Sequence, residues 1–182
     1  MKAVILFLLL SLVAVSGCSQ PKLSYSDSKF SFNYGKSLEI ISVENRPVLV
    51  EQTEPAENIV SLWPVGETDV NILVKKELQT KKEMERIMDS GVNDIQAYEM
   101  ALRKITSQIG DITFSSKQKD FLRFKAVEIL TEFEKDGKQI SSRSITFFNR
   151  SVPYTVEYTS VKEKFPAYQA EFDEIVSSLK IV

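Results

Sequence analysis

The sequence predicts an α+β fold, an antiparallel sheet of about six to eight strands with helices packed on its faces. Three observations predict it. Short β-rich runs of period two fill residues 30 to 77, the apolar spacing changes to three and four between residues 80 and 110, and it returns to two from residue 112. Asp136-Gly137 stands between two long β-rich runs as a two-residue hairpin signal. The chain then closes on one apolar helical stripe. Strands, helices, strands and a final helix are the order of α+β proteins, not of the alternating α/β class.

Each element has its own signal. Residues 19 to 27, SQPKLSYSD, are polar and aperiodic and read as a tether, so the folded domain is expected over residues 28 to 182. Phe30, Phe32 and Tyr34 alternate with polar residues up to Gly35, a first strand. Val48 to Glu51, Asn58 to Trp63 and Val70 to Glu77 read as further strands, with turns at Glu54-Pro55 and at Pro64 to Glu67. Thr80 and Glu83 form a capping box ahead of Met84, Ile87 and Met88, a short helix stopping at Gly91. Asn93 with Gln96 opens a second helix, whose stripe is Ile95, Tyr98, Leu102, Ile105 and Ile109 and whose stop is Gly110. Ile112 to Phe114 and the run Phe121 to Phe133 resume the sheet, Asp136-Gly137 turns it into Ile140 to Phe148, and Asn149-Arg150 turns that into Val152 to Val161. From about Pro166 a last helix presents Phe165, Tyr168, Phe172, Ile175, Val176 and Leu179 on one face. Phe147 and Phe148 are neighbours on one strand and must point to opposite faces, so both faces of the sheet are expected to be at least partly covered.

The first residues carry a different signal. Lys2 precedes an apolar run from Ala3 to Val15 broken only by Ser11, and 13 of the first 17 residues are apolar. A run of that length rises about 20 Å, short of the roughly 30 Å of a bilayer core, so it reads as a cleaved signal peptide, residues 1 to 17, and not as a transmembrane helix. Val15, Ser16 and Gly17 ahead of Cys18 resemble the bacterial lipobox. The resemblance implies cleavage before Cys18, a diacylglyceryl thioether on its sulfur, and a tether over residues 18 to 27. Two or three acyl chains exceed what lasting attachment to a membrane requires. By the general sorting rule, Ser19 after the lipid-bearing Cys implies the outer membrane, facing the periplasm, if the host is Gram-negative, and otherwise the outer face of the cytoplasmic membrane.

Composition removes most chemistries. Of 182 residues 43% are hydrophobic and 26% charged, the balance of a globular protein with a core. Histidine is absent and Cys18 is the single cysteine, which excludes His-dependent triads, intrachain disulfides and Cys-based or His metal sites. The six glycines are too scattered for a phosphate cradle, and 23 basic against 25 acidic residues leave no footprint for nucleic acid. No metal and no cofactor is therefore expected. Glu51, Glu54, Glu57, Glu67 and Asp69 lack the spacing of a calcium loop and read as a solvated stretch. Lys75, Lys76, Lys81, Lys82 and Arg86 are interleaved with Glu77, Glu83 and Glu85 and read as a charge-laced face. Asn149-Arg150-Ser151 matches a glycosylation sequon and reads as a hairpin turn. Trp63, Tyr154 and Tyr158 are the aromatic candidates for lining a ligand or partner cleft, set against an ordinary role in the core.

Phe30-Ser31-Phe32-Asn33-Tyr34 in the first strand, and Tyr154-Thr155-Val156-Glu157-Tyr158 followed by Phe165, Phe172 and Ile175 to Lys180, resemble the PsbP-like fold and its small bacterial lipoproteins, the DcrB-like group. That resemblance implies a non-enzymatic module that serves binding or assembly. No catalytic or metal residue carries over from it. The sequence thus points to a lipid-anchored envelope protein that is not an enzyme and works through a protein partner. The alternative is a lipid-anchored small-ligand carrier, or an unusual enzyme, with a cleft between sheet and helices.

Overall fold

The computed structural model describes residues 22–27, 30–41, 56–77, 93–106, 112–149 and 152–181. The expected signal peptide and lipobox, Cys18, the strand expected at Val48 to Glu51 and the helix expected after Thr80 lie outside these residues.

Seven strands make one antiparallel sheet: β3 (Leu38–Ile41), β4 (Ala56–Pro64), β5 (Val70–Glu77), β6 (Thr113–Phe121), β7 (Phe124–Lys135), β8 (Lys138–Asn149) and β9 (Val152–Val161), in the order β3-β4-β5-β9-β8-β7-β6. A second antiparallel sheet of three strands has β2 (Phe30–Gly35) at its centre, between β1 (Lys22–Ser26) and β10 (Lys180–Ile181). Helix α1 (Asp94–Thr106) and helix α2 (Gln169–Ser178) complete the described fold, α2 following a 3-10 turn over Phe165–Tyr168. The α+β class and the sheet of seven strands agree with the expectation.

Sequence chemistry accounts for the long hairpins. Asp136 (φ 50°) and Gly137 (φ 72°) both occupy the left-handed region, which is what a two-residue type I′ turn needs and what Asp-Gly supplies. They set Lys135 opposite Lys138, and β8 then pairs with β9 from Ile140↔Val161 to Asn149↔Val152. The Asn93 side chain accepts the Gln96 amide at 3.0 Å and caps α1 as its sequence predicts. Pro166 stands in the first turn of the 3-10 segment, where its missing N–H costs no hydrogen bond.

The large sheet is covered on both faces, and period-two alternation sorts its residues between them. On one face Leu62, Ile72, Val74, Ile145, Phe147, Val156 and Tyr158 pack with Phe30 and Phe32 of the small sheet and with Phe172, Ile175 and Leu179 of the closing segment. On the other, Val127, Ile129 and Phe148 pack beneath Ile95, Ala97, Tyr98 and Ala101 of α1. Phe147 is wholly buried in the first cluster and Phe148 belongs to the second.

Four features depart from the sequence reading. The tether expected over residues 18 to 27 is shortened, because Lys22–Ser26 is strand β1. It pairs through its backbone and leaves most of its side chains in water, so hydrophobic periodicity does not mark it. Strands β3 and β10, of four and two residues, are too short to carry a period. The run expected from Phe121 to Phe133 is broken at Leu122-Arg123, where the chain reverses between β6 and β7 without Gly, Asn or Pro and Leu122 adopts φ 53°.

Candidate functional site

The α1 side of the sheet carries a polar seam as well as the apolar cluster. The hairpin register sets Ser142 opposite Thr159, Ser144 opposite Glu157 and Thr146 opposite Thr155, all on that face. Thr159 donates to Glu157 Oε1 at 3.1 Å and to Ser142 Oγ at 3.0 Å, and Ser142 donates to the same carboxylate oxygen at 3.3 Å. The Lys75 ammonium bonds Oε2. Burial pushes the Glu157 carboxyl up, but Lys75 and the two hydroxyl donors outweigh it and the net shift is downward. Further along, Thr146 donates to the Tyr98 hydroxyl at 2.9 Å and meets Thr155 at 2.7 Å, which fastens α1 to the sheet. Asn71, opposite Thr159 on β5, is 7% exposed and its Oδ1 has no hydrogen-bond partner.

A groove of about 770 Å³ opens at the hairpin end of this face, within the usual size range of small-ligand sites. Ile95 and Phe148 supply its apolar floor, and Asn93, Asp94, Gln118, Asp120 and Lys125 its polar wall. Lys125 and Asp120 meet at 2.6 Å, yet each keeps 75% of its side chain in water. Charges so exposed are screened, and they suit recognition by hydrogen bonding better than proton transfer.

The opposite face has its own charged knot. Arg143 places two guanidinium nitrogens at 2.7 Å from Glu128 Oε1 and a third at 2.8 Å from Asp173 of α2, with its carbon 5.0 Å from the centre of the Phe172 ring. Burial raises the Glu128 carboxyl, the Arg143 and Lys119 charges and hydrogen bonds lower it further, and the net direction is down. This knot holds α2 on the sheet.

The structure does not bring the three candidate cleft aromatics together. Trp63 shares the α1 face with Ser61, to which its Nε1 donates at 2.7 Å, whereas Tyr154 and Tyr158 lie on the α2 face. All three do structural work. Tyr154 stacks on Phe147 at 5.8 Å and meets Phe30 edge-on at 5.6 Å. Tyr158 stacks on Phe165 at 4.7 Å and donates to the Phe165 carbonyl at 2.7 Å. Of the acidic stretch, Asp69 pairs with Lys138 at 3.0 Å and Glu67 pairs with Lys164, so both act as ion-pair partners at a loop. Among the described residues no group of three Asp, Glu or Cys side chains is placed to hold a metal. Sequence reasoning misses the polar seam because Ser and Thr alternating along a strand look like a solvated face, and misses the groove because α1, β6, β7 and β8 each supply part of it. The signal that finds the seam is the β8–β9 register, which sets Ser142 opposite Thr159 and Thr146 opposite Thr155.

No protein-family model matches this chain, and no curated protein does. Solved structures do. CyanoP, the cyanobacterial PsbP of Synechocystis sp. PCC 6803, superposes with a TM-score of 0.53 and 14% identity, covering 92% of this chain and 96% of CyanoP. The fold is PsbP-like. LpqN of Mycobacterium tuberculosis, a protein involved in cell envelope biogenesis, matches this PsbP-like chain with a TM-score of 0.54 and 8% identity over 96% of both. A Bacteroides thetaiotaomicron protein matches with a TM-score of 0.51 and 10% identity, over 90% of this chain and 48% of that one. At such identities the likeness concerns the PsbP-like fold alone.

Proposed function

We propose that this chain is a lipid-anchored protein of the bacterial cell envelope that acts as a non-enzymatic binding or assembly module. The observation that carries the reading is the run Val15-Ser16-Gly17-Cys18, which resembles a lipobox and stands directly ahead of a PsbP-like domain whose first strand begins at Lys22. LpqN, which shares the fold, is itself a protein of cell envelope biogenesis, and no helix among the described residues is long and apolar enough to cross a membrane. The membrane contact is the diacylglyceryl group on Cys18, and Ser19 directs the protein to the periplasmic face of the outer membrane in a Gram-negative host. The non-enzymatic part rests on the polar groups themselves. Glu157, Lys75, Arg143, Glu128 and Asp173 are engaged in pairs that hold elements together, and the groove's charged pair is open to water. A second reading, a carrier of a small polar ligand, is favoured by the groove beside α1.

Metabolic labelling with palmitate tests the anchor. Cys18→Ser is expected to abolish incorporation and to leave the precursor uncleaved, and equal labelling of the mutant would remove the anchored reading. Capture of partners from detergent-solubilised envelopes then separates the two roles: a retained protein favours the assembly module, and an empty surface with a co-purifying small molecule favours the carrier.

A further inference from the structure

We propose that the end of the domain carrying Lys22, Lys36 and the Val65-Gly66 turn faces a lipid bilayer, and that the Leu122-Arg123 hairpin end points away from it. The inference rests on the anchoring of Cys18 proposed above and adds an orientation to it. Only Ser19, Gln20 and Pro21 separate Cys18 from the first residue of β1. Four residue steps span at most about 14 Å fully extended, so an acylated Cys18 keeps Lys22 within that distance of the headgroups. The long hairpin strands have twelve residues and run about 40 Å. The tether is therefore much shorter than the domain, and the domain cannot turn its far end to the membrane without folding back on its anchor.

Strand register and backbone hydrogen bonds identify what shares the tethered end. Lys22 pairs with Gly35, and the chain turns through Lys36-Ser37 into β3. The Val65 amide donates to the Ser37 carbonyl at 2.9 Å, which places the β4–β5 turn beside them. In that turn Glu67 N–H donates to the Pro64 carbonyl at 3.0 Å and Gly66 takes φ 78°, the arrangement of a type II turn that directs Val65 outward. Val65 is 64% exposed, the most of any large hydrophobic side chain among the described residues. The same loop carries Asp69, which bonds Lys138 just past the Asp136-Gly137 turn, so this is the end of β7 opposite to Leu122.

The lysines at this end are mostly matched, Lys22 by Glu174, Lys138 by Asp69 and Lys164 by Glu67. A nearly balanced surface draws little from anionic lipid, so the tether's short reach, and not net charge, holds the contact. The occupant of this end is the lipid surface itself.

Single cysteines in place of Val65 and of Leu122 test the orientation, because Cys18 is blocked by its thioether and the chain has no other thiol. The mature acylated protein is labelled with a fluorophore and reconstituted in neutral phosphatidylcholine vesicles containing a nitroxide-headgroup lipid. The label at position 65 is expected to be quenched about threefold or more relative to that at position 122, since only the former lies at the tethered end. Insertion of a long Gly/Ser linker after Ser19 should make the two labels nearly equal. Equal quenching without the linker, or a preference that survives it, overturns the orientation while leaving the anchor intact. Acylation is read separately, by the mass of the N-terminal peptide and by flotation with vesicles. Protein that neither carries lipid nor floats overturns the anchoring reading and the orientation with it.

Discussion

Glu157 is held between opposing influences, and the balance has a pH signature. Its carboxyl lies below the ordinary value of 4.5 in the fold, so the contribution of its pairing is complete above the unfolded value and is lost as pH falls through the lower folded one. Stability should therefore decline in acid below about pH 4.5, with Glu128 adding to the same slope. Glu157→Gln should cost about 2 to 3 kcal/mol near neutrality, because it leaves Lys75 without its counter-charge at a partly buried position, and it should flatten the acid slope without abolishing it. Urea denaturation between pH 3 and 7 reads both effects. An unchanged slope in the mutant would locate the acid sensitivity elsewhere.

At the scale of elements, two departures from ideality carry measurable energy. Leu122 closes the β6–β7 hairpin at φ 53° while 53% exposed, so it contributes little burial and bears the steric cost of the left-handed region. Leu122→Asn should stabilise the protein by about 0.5 to 1 kcal/mol, since Asn tolerates that conformation. A gain in the denaturation midpoint checks it, and a loss would show that the leucine packs more than its exposure implies. Phe172 is the converse case. It is fully buried under Tyr158 and Arg143, with ring centres 6.0 Å apart in the first contact, and it joins α2 to β8 and β9. Phe172→Ala should cost about 3 to 5 kcal/mol through the cavity it opens. Chemical denaturation giving a loss below about 1 kcal/mol would detach the helix stripe from the core and reassign it to a partner.

For the whole molecule, what could be read in the sequence follows from how each element is held. Helices α1 and α2 and strands β2, β5, β8 and β9 bury a regular face, so their apolar residues recur at the period of the backbone and declare themselves. Asp136-Gly137 is legible for another reason, since few dipeptides accept two successive left-handed residues. Strands β1, β3 and β10 are held by hydrogen bonds to a neighbour, and a backbone donor has the same chemistry in every sequence. The hydroxyl seam is hidden because it exists only in the register between strands, and the groove because it lies between α1 and the sheet, relations that no single segment contains.

The three-stranded sheet has one more consequence, and it concerns time. β2 lies near the start of the chain, yet one of its two neighbours is β10, whose Lys180 is laid against Ser31 about 150 residues away, a pairing of the kind that forms late because so long a loop must first close. A chain that appears in order from its N-terminus makes this neighbour available long after β2. Until Lys180 and Ile181 emerge, one edge of β2 stands open to any extended strand within reach, including that of another nascent copy. Lys180 and Ile181 act as the clasp that ends this vulnerable interval.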